Sequence, residues 1–464
     1  MNLKFPSTRT TFNLYIVVSL IAVIYCLTML KLGSIESIVR TGPFSLVHLT
    51  LPYTGISWLL LGSVLYLLKS NRLNRGNLLT LGLFYLFAFI YLNVLRERFL
   101  YGDVNDYILA ASNLWHGEPL HVRYLYPPLW ATLLQPLVPA GGFIILVVCV
   151  VLNYLSLLAL FVVLYKTLLK FCFPRNISAI VVFIVLVANA AVLRNMSYVQ
   201  TNIHVLNLIL LSLLLYDRNV FLSALVLSIA VHLKVSPIVF VIPFFLNKDW
   251  RWLAHFSFAF FGIVVMTSLA NDWSYYPQFL SNISKIRAID SPVFEASGIA
   301  FRDNSIDSVV YAARFFLNWD SEFPKYVAYA IKLLVALVSF RIMLGAIRNG
   351  SFLDSGDAKL RTLYNSYVIL PVLMVMLFPV TWVYHYTFII PSFILMLRQV
   401  RSNREGLAYF LSLYLVFLVP TFDVFPFSFH RIAGMILFYG LLLSASKHRE
   451  QDFVWIGGVV ASNR

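Results

Sequence analysis

Apolar and polar positions along this chain fall into long blocks. Runs of roughly 17–25 apolar residues recur from residue 13 to residue 446, each close to the length that crosses a hydrocarbon core as an α-helix. Strict apolar–polar alternation is absent, which argues against a membrane barrel of strands. The blocks predict about fourteen membrane segments, near 13–33, 50–68, 78–96, 141–166, 177–193, 201–216, 219–233, 235–246, 253–271, 326–346, 363–379, 385–398, 405–420 and 431–446. The expected fold is therefore an all-α, polytopic transmembrane helical bundle. Its expected division is a tail and additional hairpin over 1–77, a core over 78–400, and a C-terminal hairpin and tail over 401–464. Residues 13–33 resemble a signal peptide in hydrophobicity, but no small-residue cleavage site follows, so they read as the first span.

Composition agrees. Of 464 residues 60% are hydrophobic and 12% charged, with a mean hydropathy of +0.82. Soluble domains are about half apolar and about a quarter charged.

Charge adds orientation. The net charge of +15 would suit nucleic acid if it formed one patch, but it is dispersed in short clusters between apolar blocks. These include Lys4 with Arg9, Lys69 to Arg75, Lys166 to Arg175, Arg218, Lys248 with Arg251, Arg348 to Arg361, Arg398 to Arg404, and Lys447 with Arg449. With these fourteen spans all the clusters fall on one side, which the positive-inside rule makes the cytoplasm, together with both termini. No nucleic-acid partner is expected. Keeping Arg218 and Lys248 on one side also requires 219–246 to be a broken hairpin, with its turn near Lys234 and Pro237.

The two longest polar connections, 97–140 and 272–325, then lie on the non-cytoplasmic face. Loops of that length usually carry function, and these are too aromatic for disorder.

Six polar groupings gather on that face. Asp103 and Tyr107 sit four residues apart, on one face of a helix if the segment is helical. Asp103 could serve as a general base or simply cap that helix, and Asp106 is the alternative base. Tyr126-Pro127-Pro128 fixes an extended approach to the next helix. Gln200 and Asn202, with His204 and Asn207 behind them, either line a sugar-sized pocket or join neighbouring helices. Lys234 needs an anion or a route to water. Arg302 to Ser305 form a polar loop motif, and Trp382 with His385 stands at the outer end of a late span. The cysteines (Cys26, Cys149, Cys172) have neither disulfide-framework nor metal-ligand spacing, and no P-loop, GxGxxG, HExxH or nucleophile elbow occurs.

In order and placement these motifs resemble glycosyltransferase family 87 of the GT-C superfamily, the polyprenol-phosphate-mannose-dependent mannosyltransferases. The resemblance spans roughly 78–400 and rests on Asp103, Tyr107, Gly117, Tyr126-Pro127-Pro128, Gln200, Asn202, Lys234, Pro237, Asn304-Ser305, Trp382 and His385. Two departures are the additional hairpin near 13–68 and Val104, where an aromatic is usual.

The resemblance implies a GT-C-like fold in a multi-pass cell membrane protein with its active site on the non-cytoplasmic face. It implies inverting transfer of a sugar, mannose first among candidates, from a polyprenyl-phosphate donor to a glycolipid or glycan hydroxyl. Asp103 is the expected catalytic base. Lys234, with His385 and Arg302, is expected on the donor phosphate. Tyr107, Tyr126, Gln200, Asn202, Asn304 and Trp382 are expected to shape the sugar and acceptor pocket. No cofactor and no metal is expected. A transporter or flippase of a lipid-linked or polar solute is the alternative; such proteins gather polar groups near the membrane midplane and often show inverted repeats.

Overall fold

The computed structural model describes residues 103–187, 189–286, 305–317, 319, 323–378, 380–419 and 429–448, with scattered positions between 13 and 84. The first three expected spans therefore lie largely outside the described residues, as do Arg302 and Asn304. Every regular element among the described residues is helical.

The first outer connection is itself structured. Helix α1 (Val104–His116) ends on Gly117, whose left-handed backbone (φ 70°) closes the helix as glycine does at little cost. Pro128 occupies the N-cap of α2 (Leu129–Leu134), where a fixed φ and a missing N–H are tolerated. A 3-10 turn, Gln135–Ala140, then leads into α3 (Gly142–Lys170), the longest apolar helix described.

The expected span near 177–193 is bent. Helix α4 (Arg175–Val187) gives way to α5 (Ala190–Tyr198) at Asn189. The Asn189 side chain accepts the N–H groups of Ala191 and Val192, the usual satisfaction of exposed helix-start donors.

Helices α6 (Asn202–Leu215) and α7 (Val220–Leu233) form an antiparallel pair, closed by reciprocal bonds from the Ser212 and Ser223 hydroxyls to each other's carbonyls. A 3-10 segment, Ser236–Val241, and α8 (Ile242–Leu246) follow. The next helix is α9 (Trp250–Ala270). It runs parallel to α7: Trp252 Nε1 meets the Ser223 hydroxyl, Ser228 meets the Phe256 carbonyl, and His232 meets the Phe260 carbonyl. Two consecutive helices can be parallel only if the chain between them returns, so residues 236–246 are the second limb of the broken hairpin that the charge pattern requires.

Helices α10 (Tyr275–Ile286) and α11 (Ile306–Leu317) belong to the second outer connection. The first of them clasps the first connection: Gln278 accepts the Leu120 N–H, and Asn282 donates to the His121 carbonyl. Helices α12 (Phe323–Asn349) and α13 (Ala358–Leu377) come next. The chain continues through a 3-10 segment (Val383–Ile389), α14 (Ile390–Met396), α15 (Asn403–Leu413) with a π turn at Tyr414–Leu418, and α16 (His430–Ala445).

Among the described residues, α3, α9, α12 and α13 are long and apolar enough to cross a membrane, and the bent α4–α5 pair makes a fifth. The other apolar helices are shorter, so the about fourteen expected segments reduce to four or five of full length among those described. Outward faces stay apolar: Phe258, Met266 and Leu269 of α9 are 73%, 72% and 74% exposed. Exposed apolar surface so extensive suits lipid contact. Helix α13, in contrast, is buried along most of its length and forms the centre of the bundle.

The described basic clusters meet at one end. Lys170 pairs with Asp217, and Arg398 Nη1 donates to the Phe171 carbonyl. Tyr216 bonds Asp249 at 2.6 Å, Asn247 bonds the Lys359 carbonyl at 3.0 Å, and Ser351 bonds the His448 carbonyl at 2.6 Å. The turn at Lys234 is a helix length away, at the opposite end.

Candidate active site

At that opposite end four separate stretches of sequence meet on one carboxylate. Asp103 stands at the N-cap position of α1, yet its side chain makes no capping hydrogen bond. Its Oδ2 instead accepts from Gln200 Nε2, from the Tyr126 hydroxyl at 3.4 Å and from the Tyr384 hydroxyl at 3.5 Å. The capping alternative thus does not account for this aspartate. Among the described residues its Oδ1 has no hydrogen-bond partner.

Gln200 is fixed on its other side. Its Oε1 accepts from Tyr126 at 3.0 Å and from Tyr107 at 3.4 Å, and Gln200 is wholly buried. The residue before it, Val199, has φ 54°, a left-handed conformation that a β-branched side chain adopts only under constraint. That turn ends α5 and starts the approach to α6.

Local sequence explains the rest of the frame. Tyr124 donates to the Pro127 carbonyl at 3.3 Å and accepts the Ala131 N–H at 3.1 Å, which pins the Tyr-Pro-Pro segment. Tyr126 is held edge-on to Tyr107, ring centroids 5.2 Å apart. Asn195 on α5 donates to the Tyr384 carbonyl at 2.9 Å and so joins that helix to the 3-10 segment bearing Tyr384.

Lys234 occupies the break between α7 and the return limb, with extended backbone (φ −159°, ψ 127°). Its Nζ donates to Asn202 Oδ1 at 2.7 Å. The rings of Phe378, Phe388 and Tyr126 surround it, with centroids at 5.5, 5.7 and 5.9 Å, in cation–π range. The Asp103 carboxylate lies in its field, but the two form no ion pair. Asn202 is wholly buried and its Nδ2 has no partner among the described residues. An ammonium and an amide N–H₂ therefore stand side by side.

His385 packs between the rings of Phe378 and Tyr384 at 5.1 and 4.7 Å. Its Nδ1 accepts the Trp382 N–H at 3.2 Å, which leaves the ring proton of the neutral imidazole on Nε2. Trp382 contributes to this arrangement through its backbone.

Burial raises the Asp103 carboxyl above the ordinary carboxylate range, opposed by the Gln200, Lys234, Tyr126 and Tyr384 contacts. Asp106 is pushed up to about 6 by burial and by the Asp103 charge, with Arg123 opposing. Among the described residues its side chain makes no hydrogen bond.

Of the expected site residues, Asp103, Tyr107, Tyr126, Gln200, Asn202, Lys234 and His385 are brought together, Trp382 borders them, and Arg302 and Asn304 lie outside the described residues. Asn207 leaves the group: it donates to Ser156 on α3, joining two helices. Sequence reasoning missed Tyr384 and Asn195 as site residues. The available signal for Tyr384 was its place one residue before His385. Among the described residues no group of three or more His, Cys, Asp or Glu side chains comes together.

Such a site can take a proton at Asp103 and hold an anion at Lys234 a short distance away. The model of glycosyltransferase family 87 matches residues 124–379, more than half of the chain. Asp103 and Tyr107 precede that stretch, and Tyr384 and His385 follow it; the fold returns all four to Gln200 and Lys234 inside it. No curated protein and no solved structure matches the chain. The breadth of the family match makes the chain a member of glycosyltransferase family 87.

Proposed function

We propose that this glycosyltransferase moves a sugar, mannose in the first instance, from a polyprenyl-phosphate donor to a hydroxyl of a glycolipid or glycan, with inversion. The observation that carries the proposal is the pairing of an unshared Asp103 Oδ1 with the Lys234–Asn202 donor pair.

Asp103 takes the proton of the acceptor hydroxyl as its oxygen attacks the anomeric carbon. The bond from that carbon to the phosphate oxygen breaks, and the electron pair leaves with the polyprenyl phosphate. Attack opposite the leaving group inverts the anomeric centre. Lys234, Asn202 Nδ2 and His385 Nε2–H are preorganised donors for the charge that grows on the phosphate. The isoprenoid tail lies against the apolar outer faces of the helices. Tyr107, Tyr126 and Trp382 border the sugar, with Arg302 and Asn304 assigned to the same pocket from the sequence motifs.

The basic clusters at the other end support assigning this end to the non-cytoplasmic face. A monophosphate leaving group beside a lysine needs no metal to neutralise it, so transfer is expected to proceed in EDTA. The test is mass spectrometry of products after the purified protein, in liposomes with polyprenyl-phosphate mannose and a glycolipid extract, is incubated with EDTA. A mannosylated product supports the proposal; unaltered acceptors beside consumption of another lipid-linked sugar overturn the donor assignment.

A further inference from the structure

The hydrogen bonds on Asp103 are unevenly divided between its two oxygens. Among the described residues, three side chains from three parts of the chain converge on Oδ2, and none on Oδ1. Gln200 is the inner member of that set. A free amide can turn over and present either its oxygen or its N–H₂ to a neighbour. An ionised carboxylate only accepts, so Gln200 turns its N–H₂ to Asp103, and its Oε1 is left to accept from the two tyrosine hydroxyls, which hold the amide on that side. Val199 in its left-handed conformation and the Asn195 bond to the Tyr384 carbonyl hold Gln200 and Tyr384 in one frame.

We infer that Gln200 is a positioning residue: its amide, locked by Tyr107 and Tyr126, anchors Asp103 through Oδ2 and reserves Oδ1 as the oxygen that accepts the acceptor's proton. This rests on the reading of Asp103 as the base, and it moves Gln200 from sugar contact to control of that base. Tyr384 is its partner in the same role.

Among the described residues the titratable groups around Asp103 are Lys234 from the hairpin break, Tyr126 from the first outer connection, Tyr384 from the 3-10 segment, and Tyr107 and Asp106 on its own helix, with Arg123 beside Asp106. The donors favour the ionised carboxylate, so losing one shifts its protonation to higher pH.

The test compares kcat, both KM values and the pH dependence of transfer for Gln200→Ala, Tyr384→Phe and Tyr107→Phe, with Asp103→Asn alongside. The two phenylalanine variants remove one oxygen each and keep the ring packing. Expected for Tyr384→Phe is a loss of about tenfold in kcat with little change in KM, because a hydrogen bond to a charged group is lost. Its acid limb should move to higher pH. Tyr107→Phe is the decisive variant, since its hydroxyl meets Gln200 and not Asp103; the same upward shift, smaller, must then pass through the amide. A raised acceptor KM with an unmoved acid limb in Gln200→Ala and Tyr107→Phe makes Gln200 a sugar contact and overturns the inference alone. Full activity in Asp103→Asn overturns the base assignment, and the inference with it.

Discussion

The two ends of the bundle use ionisable residues in opposite ways. At the basic end the acids are consumed by architecture. Asp217 pairs with Lys170, and Asp249 accepts from Tyr216 while capping α9 through the Trp252 N–H. Glu405 accepts the Arg401 N–H and the Ser444 hydroxyl. At the other end Asp103 is surrounded by neutral donors, and Lys234 by an amide oxygen and three rings, with no ion pair between them. A structural acid and base so near one another would be expected to close into a pair, since an uncompensated charge away from water is costly. Left unpaired with each other, the carboxylate and the ammonium can each meet a substrate group, a hydroxyl at one and a phosphate at the other. Residue type does not separate the two ends; the completeness of the partners does.

The largest expected break in this contrast is Asp103→Asn. Loss of a general base should lower transfer by about 10²–10⁴-fold, read as initial rate with polyprenyl-phosphate mannose. Lys234→Ala comes next. Removing a preorganised donor to a developing charge should cost about 10²–10³-fold in kcat, with a raised donor KM. A change confined to acceptor kinetics would take Lys234 off the phosphate.

The pH dependence sharpens the same end. Transfer needs the ionised Asp103, whose carboxyl is raised by burial, so activity is full above that raised value and is lost as pH falls through it. The acid limb should therefore lie above the ordinary carboxylate range and fall about tenfold per pH unit. Asp106, itself titrating at about 6, supplies a like charge; Asp106→Asn should move the limb down while changing the plateau rate by no more than about twofold. A collapse of the plateau would make Asp106 the base.

The smallest effect belongs to the basic end. Asp217→Asn should leave transfer unaltered and cost at most about 1 kcal/mol of stability, since the Lys170 pair is solvent-exposed. Loss of activity there would mean that the two ends are not functionally separate.

Much of this was legible in the sequence, for particular physical reasons. Hydropathy blocks gave the limits of α3, α6, α7 and α9 closely, because each is one uninterrupted apolar run. The charge rule found the break at Lys234, since no straight helix could keep Arg218 and Lys248 together. The Pro127-Pro128 pair marked the start of α2. Hydropathy could not find the bend at Asn189, because both flanking helices are apolar. Nor could it tell that residues 383–389 wind as a 3-10 segment, the turn that brings Tyr384 onto Asp103.

The site itself was legible as a set of residues rather than as a set of contacts. Gln200 and Tyr384 are 97 and 281 positions from Asp103, and nothing local encodes which oxygen they bind. The same limit applies to Asn207 and Gln200. Both are buried or part-buried amides near one helix, and only the tertiary partners show one joining α6 to α3 and the other holding a carboxylate.

The central claim is that Asp103 performs chemistry at a site whose donor phosphate is held by other groups. Its most direct test is donor binding by Asp103→Asn, measured with polyprenyl-phosphate mannose beside turnover of the same preparation. The account predicts wild-type affinity for the donor and transfer lowered by about 10²–10⁴-fold. Undiminished turnover, or loss of donor binding from a correctly folded variant, would contradict it.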